Sequence, residues 1–119
     1  MEKFFGTNVC FVPDEGPLLS KEEDATVLLG ETYGLEADWI AIPILRLNAD
    51  MLDLKTRQLG LFLQKFMNYR LNVAIVGDVT AGVEKSVAFA DFVRESNRGR
   101  HVCFVMDRDA LKAHLSTRT

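Results

Sequence analysis

The stretch Gln64-Lys65-Phe66-Met67-Asn68-Tyr69-Arg70-Leu71-Asn72-Val73-Ala74-Ile75-Val76-Gly77-Asp78 decides the fold. It carries the end of an amphipathic helix straight into an apolar strand, Val73 to Val76, and the strand stops at Gly77-Asp78. The same sequence of events then repeats. A further helix closes with Arg94-Glu95-Ser96-Asn97-Arg98-Gly99-Arg100, and the apolar strand His101-Val102-Cys103-Phe104-Val105 follows. Helix and strand alternating in this way make a parallel sheet, because a strand can return parallel to its neighbour only through a crossover. Val73 to Val76 is apolar at every position, as a strand covered on both faces must be.

Upstream, the helix that feeds this strand reads from about Met51 to Asn68. At 100° per residue, Leu52, Leu59, Phe62, Leu63 and Phe66 fall on one side, which is the buried face. Leu54 and Leu61 project almost opposite. Two leucines on a face that would otherwise meet only water point to a homodimer through this helix. Trp39 to Leu45 is another strand, and Pro43 inside it predicts a bulge or irregular pairing, since proline cannot donate to a ladder. Ser20, three residues before Glu23, has the spacing of a capping box and opens a helix carrying Ala25, Leu28 and Leu29 that stops at Gly34. At the start, Phe4-Phe5 and Val9 to Val12 flank Gly6-Thr7-Asn8 and read as a hairpin. Downstream, Phe89, Phe92, Val93 and Ser96 share a helix face. Asp107-Arg108-Asp109 leads into a short helix, Ala110 to Leu115, and Ser116 to Thr119 are expected to fray.

The expectation is one α/β domain over residues 1–119, in the order β-β-α-β-α-β-α-β-α, with a mixed, largely parallel sheet of about five strands. The 119 residues suit one domain, and a hydrophobic fraction of 48% is enough for a core without staples. No apolar run is long enough to cross a bilayer, and Met1 to Phe5 lacks a signal-peptide layout, so no membrane is expected and the location reads as cytoplasmic. A net charge of −3 with scattered Lys and Arg lacks the basic face that nucleic acid requires. Arg94, Arg98 and Arg100 form a small cationic group that suits a solvated helix end. Cys10 and Cys103 both read as buried, reduced thiols. Neither His101 nor His114 has a metal-ligand spacing around it, and no cofactor is expected.

Gly77 to Ser86 follows a strand and precedes a helix, as a phosphate-binding loop does. That loop requires Gly and Lys adjacent after four spacers, whereas Val83-Glu84 separates Gly82 from Lys85 here. The segment therefore reads as a β-to-α turn. A positional argument yields a better site. Ligands of parallel sheets bind outside the carboxyl ends of the strands. Those ends carry Arg46, Asn48 and Asp50; Gly77, Asp78 and Thr80; and Asp107 and Arg108. The ligand-binding candidates are Asn48, Asp50, Asp78 and Thr80. The competing account is that strand-to-helix turns are polar anyway, because Asp and Thr cap helices. No Ser, Cys or His stands there with a base, so no catalytic residue is assigned.

Three blocks carry a resemblance: Leu71 to Asp78, the preceding Gln64 to Arg70, and Asp91 to Arg100. They are similar to the bacterial domain-of-unknown-function family four-one-eight-zero, with a likeness running from Gly16-Pro17 to Leu111. That family has no established activity. It tends to have two aromatics where Met51-Leu52 stand, Gly at Arg57, Glu at Leu61 and Arg at Ala90. The strand order also resembles STAS domains, the anti-sigma-factor-antagonist fold. There a regulatory Ser or Thr followed by Gly lies where a strand hands over to the second helix. Thr56, followed by Arg57, is the nearest match and is the regulatory candidate this likeness implies. The resemblance implies a non-catalytic regulatory domain that binds a protein partner. The alternative is a small-molecule-binding domain or enzyme using the carboxyl-end rim.

Overall fold

A computed structural model describes residues 1–117; Arg118 and Thr119, part of the segment expected to fray, lie outside the described residues. Five strands form one mixed sheet in the order β1-β2-β3-β4-β5. They are β1 (Glu2–Phe4), β2 (Thr7–Phe11), β3 (Trp39–Pro43), β4 (Asn72–Val76) and β5 (Val102–Val105). β1 runs antiparallel to β2, while the pairs β2–β3, β3–β4 and β4–β5 are parallel. The helices are α1 (Asp24–Thr32), α2 (Gln58–Asn68), α3 (Thr80–Lys85), α4 (Val87–Arg98) and α5 (Arg108–Ser116).

The period-2 alternation of the strands sorts side chains onto two faces. Ile40, Ile42, Val73, Ile75, Val102 and Phe104 pack against the buried residues of α1, α2 and α4. Phe89 and Phe92 each meet Phe104 edge-on, with ring centroids 6.0 Å apart. The opposite face presents Val9, Trp39, Ala41, Ala74 and Cys103, and α5 covers it through Leu111 and Leu115. Small side chains at Ala41, Ala74 and Cys103 let a single short helix seal that face.

The hairpin turn is Phe5-Gly6, with φ of 51° and 83°. Positive φ at both positions is the mark of a two-residue turn whose twist matches the strands. Thr7 and Asn8, expected in the turn, therefore begin β2. Pro43 makes no bulge. The β2 ladder ends at Phe11–Ala41, so Pro43 stands beyond it and no sheet bond is forfeited.

Two helix starts differ from the sequence reading. Ser20 and Glu23 form no capping box, and Glu23 makes no side-chain cap bond. Instead the Asp24 carboxylate accepts from the backbone N–H groups of Ser20 (2.7 Å) and Lys21 (3.2 Å), and α1 begins there. The helix expected from Met51 is broken into two 3₁₀ turns, Ala49–Leu52 and Leu54–Thr56, before α2 starts at Gln58. Arg57 joins the second turn to α2 in the left-handed region, with φ 62° and ψ 3°. Leu59, Phe62, Leu63 and Phe66 are buried as their spacing demands. Leu54 and Leu61 do not share a helix. Leu54 sits on the earlier turn and packs partly against the core, while Leu61 on α2 is 42% exposed. A paired leucine face on one helix is thus not formed.

The C-terminal half adds α3, a short helix inside the segment Gly77 to Ser86 that the sequence reading took for a β-to-α turn. The Ser86 hydroxyl caps α4 by accepting from the Phe89 N–H at 3.1 Å. Asn97, near the end of α4, reaches back to the outer edge of β5. Its amide donates to the Phe104 carbonyl at 3.2 Å, and its oxygen accepts from the Phe104 N–H at 2.7 Å. Cys103 is fully buried, while Cys10 is only half-buried, because β2 lies near the end of the sheet.

Candidate functional site: the carboxyl-end cleft

A cavity of about 570 Å³ opens at the carboxyl ends of β2, β3 and β4. Phe11, Ala41, Pro43 and Val76 contribute its apolar lining, and Leu45 and Met106 stand at its lip. Leu45 is 69% exposed and Met106 56% exposed. Asp14, Asp78 and Asp107 bring carboxylates to it from three separate segments, and Arg108 completes the wall.

Each wall is fixed by a specific local device. Pro13 to Pro17 forms a strap held down by Arg46, which is only 7% exposed. The Arg46 guanidinium donates to the carbonyls of Pro13 (2.9 Å), Glu15 (3.2 Å) and Pro17 (3.1 Å). Burying a cation is costly unless its donors find acceptors, and these oxygens take three of the five N–H groups. Gly16, with φ +146°, lies against this group; a Cβ there would stand 2.6 Å from Arg46 Cζ. Beyond the strap, the Leu19 N–H donates to the Arg46 carbonyl at 2.6 Å and the Asn48 N–H to the Leu19 carbonyl at 2.9 Å. The strap that bears Asp14 is therefore pinned at both ends.

Gly77 forms the corner after β4 at φ +145°, and a Cβ there would run into the Ile44 side chain. Only glycine permits that approach. The next residue, Asp78, accepts from the Thr80 N–H at 2.9 Å. The Thr80 hydroxyl and backbone N–H hold the Asp78 carboxyl below the usual carboxylate range, so it stays ionised. Asp107 caps α5 by accepting from the Ala110 N–H at 2.8 Å. Arg108 pairs with Glu2 and lies over the Phe11 ring, 4.1 Å from its centroid, which ties α5 to the hairpin.

Of the residues expected to bind a ligand, Asp78 lines this cleft and Asn48, Asp50 and Thr80 do not. Asn48 caps the turn at Ala49 by accepting from the Asp50 N–H at 2.9 Å, and Asp50 is exposed on that turn. Thr80 is exposed at the start of α3. Arg46, placed on the same rim by sequence, turns its side chain under the strap. Thr56 is exposed. Its hydroxyl donates to the Asp53 carbonyl at 2.9 Å and accepts from the Gln58 N–H at 3.3 Å, bridging the break at Arg57. Sequence reasoning missed Phe11, Asp14, Pro43, Leu45 and Met106. Of these, Asp14 alone stands among turn-forming residues, Pro13 to Pro17, that mark a loop in the sequence.

A hollow of about 670 Å³ at the far end of the sheet is bordered by Tyr33 and Tyr69. It is larger, but it lies away from the strand ends where parallel sheets gather ligands. Among the described residues no group of His, Cys, Asp and Glu is arranged to hold a metal ion, and no helix is long and apolar enough to cross a membrane.

The family described as "Domain of unknown function (DUF4180)" matches residues 5–115. The chain belongs to this family. The matched span takes in every strand but the first and every part of the cleft, so the cleft is an assembly of DUF4180 elements. No curated protein and no solved structure matches the chain.

Proposed function

We propose that this DUF4180 domain is a non-catalytic, STAS-like regulatory domain of the bacterial cytoplasm that binds a protein partner at the carboxyl-end cleft. One observation carries the reading: the cleft has an apolar floor and exposed apolar lips, and three of its charged groups also hold its own walls. Asp78 and Asp107 cap the turns they stand on, and Arg108 is paired with Glu2. An anionic Asp78 held below the usual range is also a weak proton acceptor, which suits recognition better than acid–base chemistry. Leu45 and Met106 offer the rotatable apolar side chains that adaptable binding surfaces use.

Thr56 is the regulatory hydroxyl in this reading. It is accessible, and its bonds across the Arg57 break would be rearranged by a phosphate. Leu61 remains the candidate for a weak contact between two copies. The second reading, a small molecule in the same cleft, is favoured by the volume, which lies within the usual range for such ligands.

Co-purification from the native cytoplasm tests the first reading. Wild type should carry a partner that Leu45→Glu/Met106→Glu loses while keeping its melting temperature. Equal recovery of the same proteins by both would remove the cleft from the interface.

A further inference from the structure

Asp14, Asp78 and Asp107 reach the cleft from the strap, the β4 corner and the start of α5. All three are exposed. Asp107 caps a turn through one oxygen, and Asp78 accepts from the Thr80 N–H and hydroxyl; both carboxylates still line the cleft. The cation in the lining, Arg108, is balanced by Glu2 and held flat on Phe11. The rim potential is therefore negative over an apolar floor. The backbone that carries Asp14 is held in place, because the buried Arg46 fastens the carbonyls on either side of it.

We propose that the cleft recognises a cationic, partly apolar peptide segment of the partner, with leucine-like groups on the floor and lysine or arginine heads on the three carboxylates. This rests on the partner-binding reading above. A lysine or arginine suits the geometry because its aliphatic stem can lie on apolar surface while its charged head stays at the rim. The carboxylates stand on separate, locally fixed elements, so they select register as well as charge.

The test uses three fluorescein-labelled hexapeptides alternating leucine with lysine, glutamine or glutamate, titrated against the whole chain and followed by backbone amide shifts. The lysine peptide should bind roughly tenfold tighter than the glutamine peptide, and the glutamate peptide should not bind. Shifts caused by the lysine peptide should centre on Val76, Gly77 and Met106. Asp14→Lys should weaken it at least several-fold, and Glu95→Lys, an equal charge change on α4, should not. Raising salt from about 50 to 500 mM should weaken it as well. Equal binding of the lysine and glutamine peptides overturns the charge preference but leaves the cleft as the site. Equal loss in Asp14→Lys and Glu95→Lys overturns the site. Binding of spermidine alone, with no peptide bound, overturns it in favour of a small cation. If no peptide binds while Leu45→Glu/Met106→Glu still sheds the co-purifying partner, this inference fails and the partner-binding reading stands.

Discussion

Replacing Arg57 by glycine should stabilise the protein. Arg57 is held at φ 62° and ψ 3°, where the Cβ of an L-residue crowds the following carbonyl. The conformation is imposed from both sides: the Arg57 N–H donates to the Leu54 carbonyl at 3.1 Å, and its carbonyl accepts from the Leu61 N–H at 3.2 Å. A left-handed residue bearing a Cβ costs roughly 1–2 kcal/mol. Glycine removes that cost but returns about 0.4–1 kcal/mol through the greater freedom of the unfolded chain. The balance is a gain of about 0.5–1 kcal/mol, a rise of about 2–4 °C in melting temperature for a chain of this size. Urea unfolding monitored at Trp39 should show a higher midpoint with an unchanged slope. Arg57→Ala keeps the Cβ and should leave the midpoint near wild type, separating backbone relief from loss of the exposed side chain. An Arg57→Gly midpoint at or below that of Arg57→Ala would refute the argument.

Gly77→Ala should cost roughly 3 kcal/mol or more, since it combines a left-handed φ with a clash. Adding Ile44→Ala should recover the steric part, and calorimetry of the single and double variants checks this. Asn97→Ala leaves the Phe104 N–H and carbonyl without their partner and should cost about 1–3 kcal/mol, with Asn97→Asp intermediate in urea melts because it keeps the acceptor. The Asp78 carboxyl should titrate below the ordinary aspartate value by NMR, because the Thr80 hydroxyl and N–H bond its ionised form. Because its folded pKa is depressed, the stability it adds is present above that ordinary value and is lost as pH falls through the lower folded one. The difference between wild type and Asp78→Ala should therefore shrink in acid; a difference that grows there would contradict the assignment.

What was legible in the sequence was periodic. The unbroken apolar run Val73 to Ile75 and the helical spacing of Leu59, Phe62, Leu63 and Phe66 located β4 and α2, because burial repeats with the geometry of the element. What was not legible was single-residue backbone geometry. Arginine carries no local mark of a left-handed φ, so the break at Arg57 could not be read; the glycine that the family resemblance places there was the one hint. A capping carboxylate at Asp24 competed with the Ser20–Glu23 spacing and prevailed. The cleft was half legible. The rule that strand ends carry ligands found Asp78, Asp107 and Arg108. Phe11, Asp14 and Leu45 are far from them along the chain, and Arg46 looked like a rim residue until its carbonyl partners placed it beneath the strap.

The side chain of Asn97 has a bearing on assembly. By bonding both backbone groups of Phe104, an amide on a helix plays the part of a sixth strand one residue long. The sheet has two ends, and at the β5 end this amide holds the place an added strand would take at Phe104. Strand addition to this fold is accordingly one-sided: β1 is the open end, and it is three residues long with Glu2 and Lys3 exposed on it. A filament built by edge-to-edge stacking needs both ends open in every copy. Two copies joined through β1 would instead present a stopped edge at each outer side, so pairing would terminate at a dimer, and polymer growth would first require the Asn97 amide to let go.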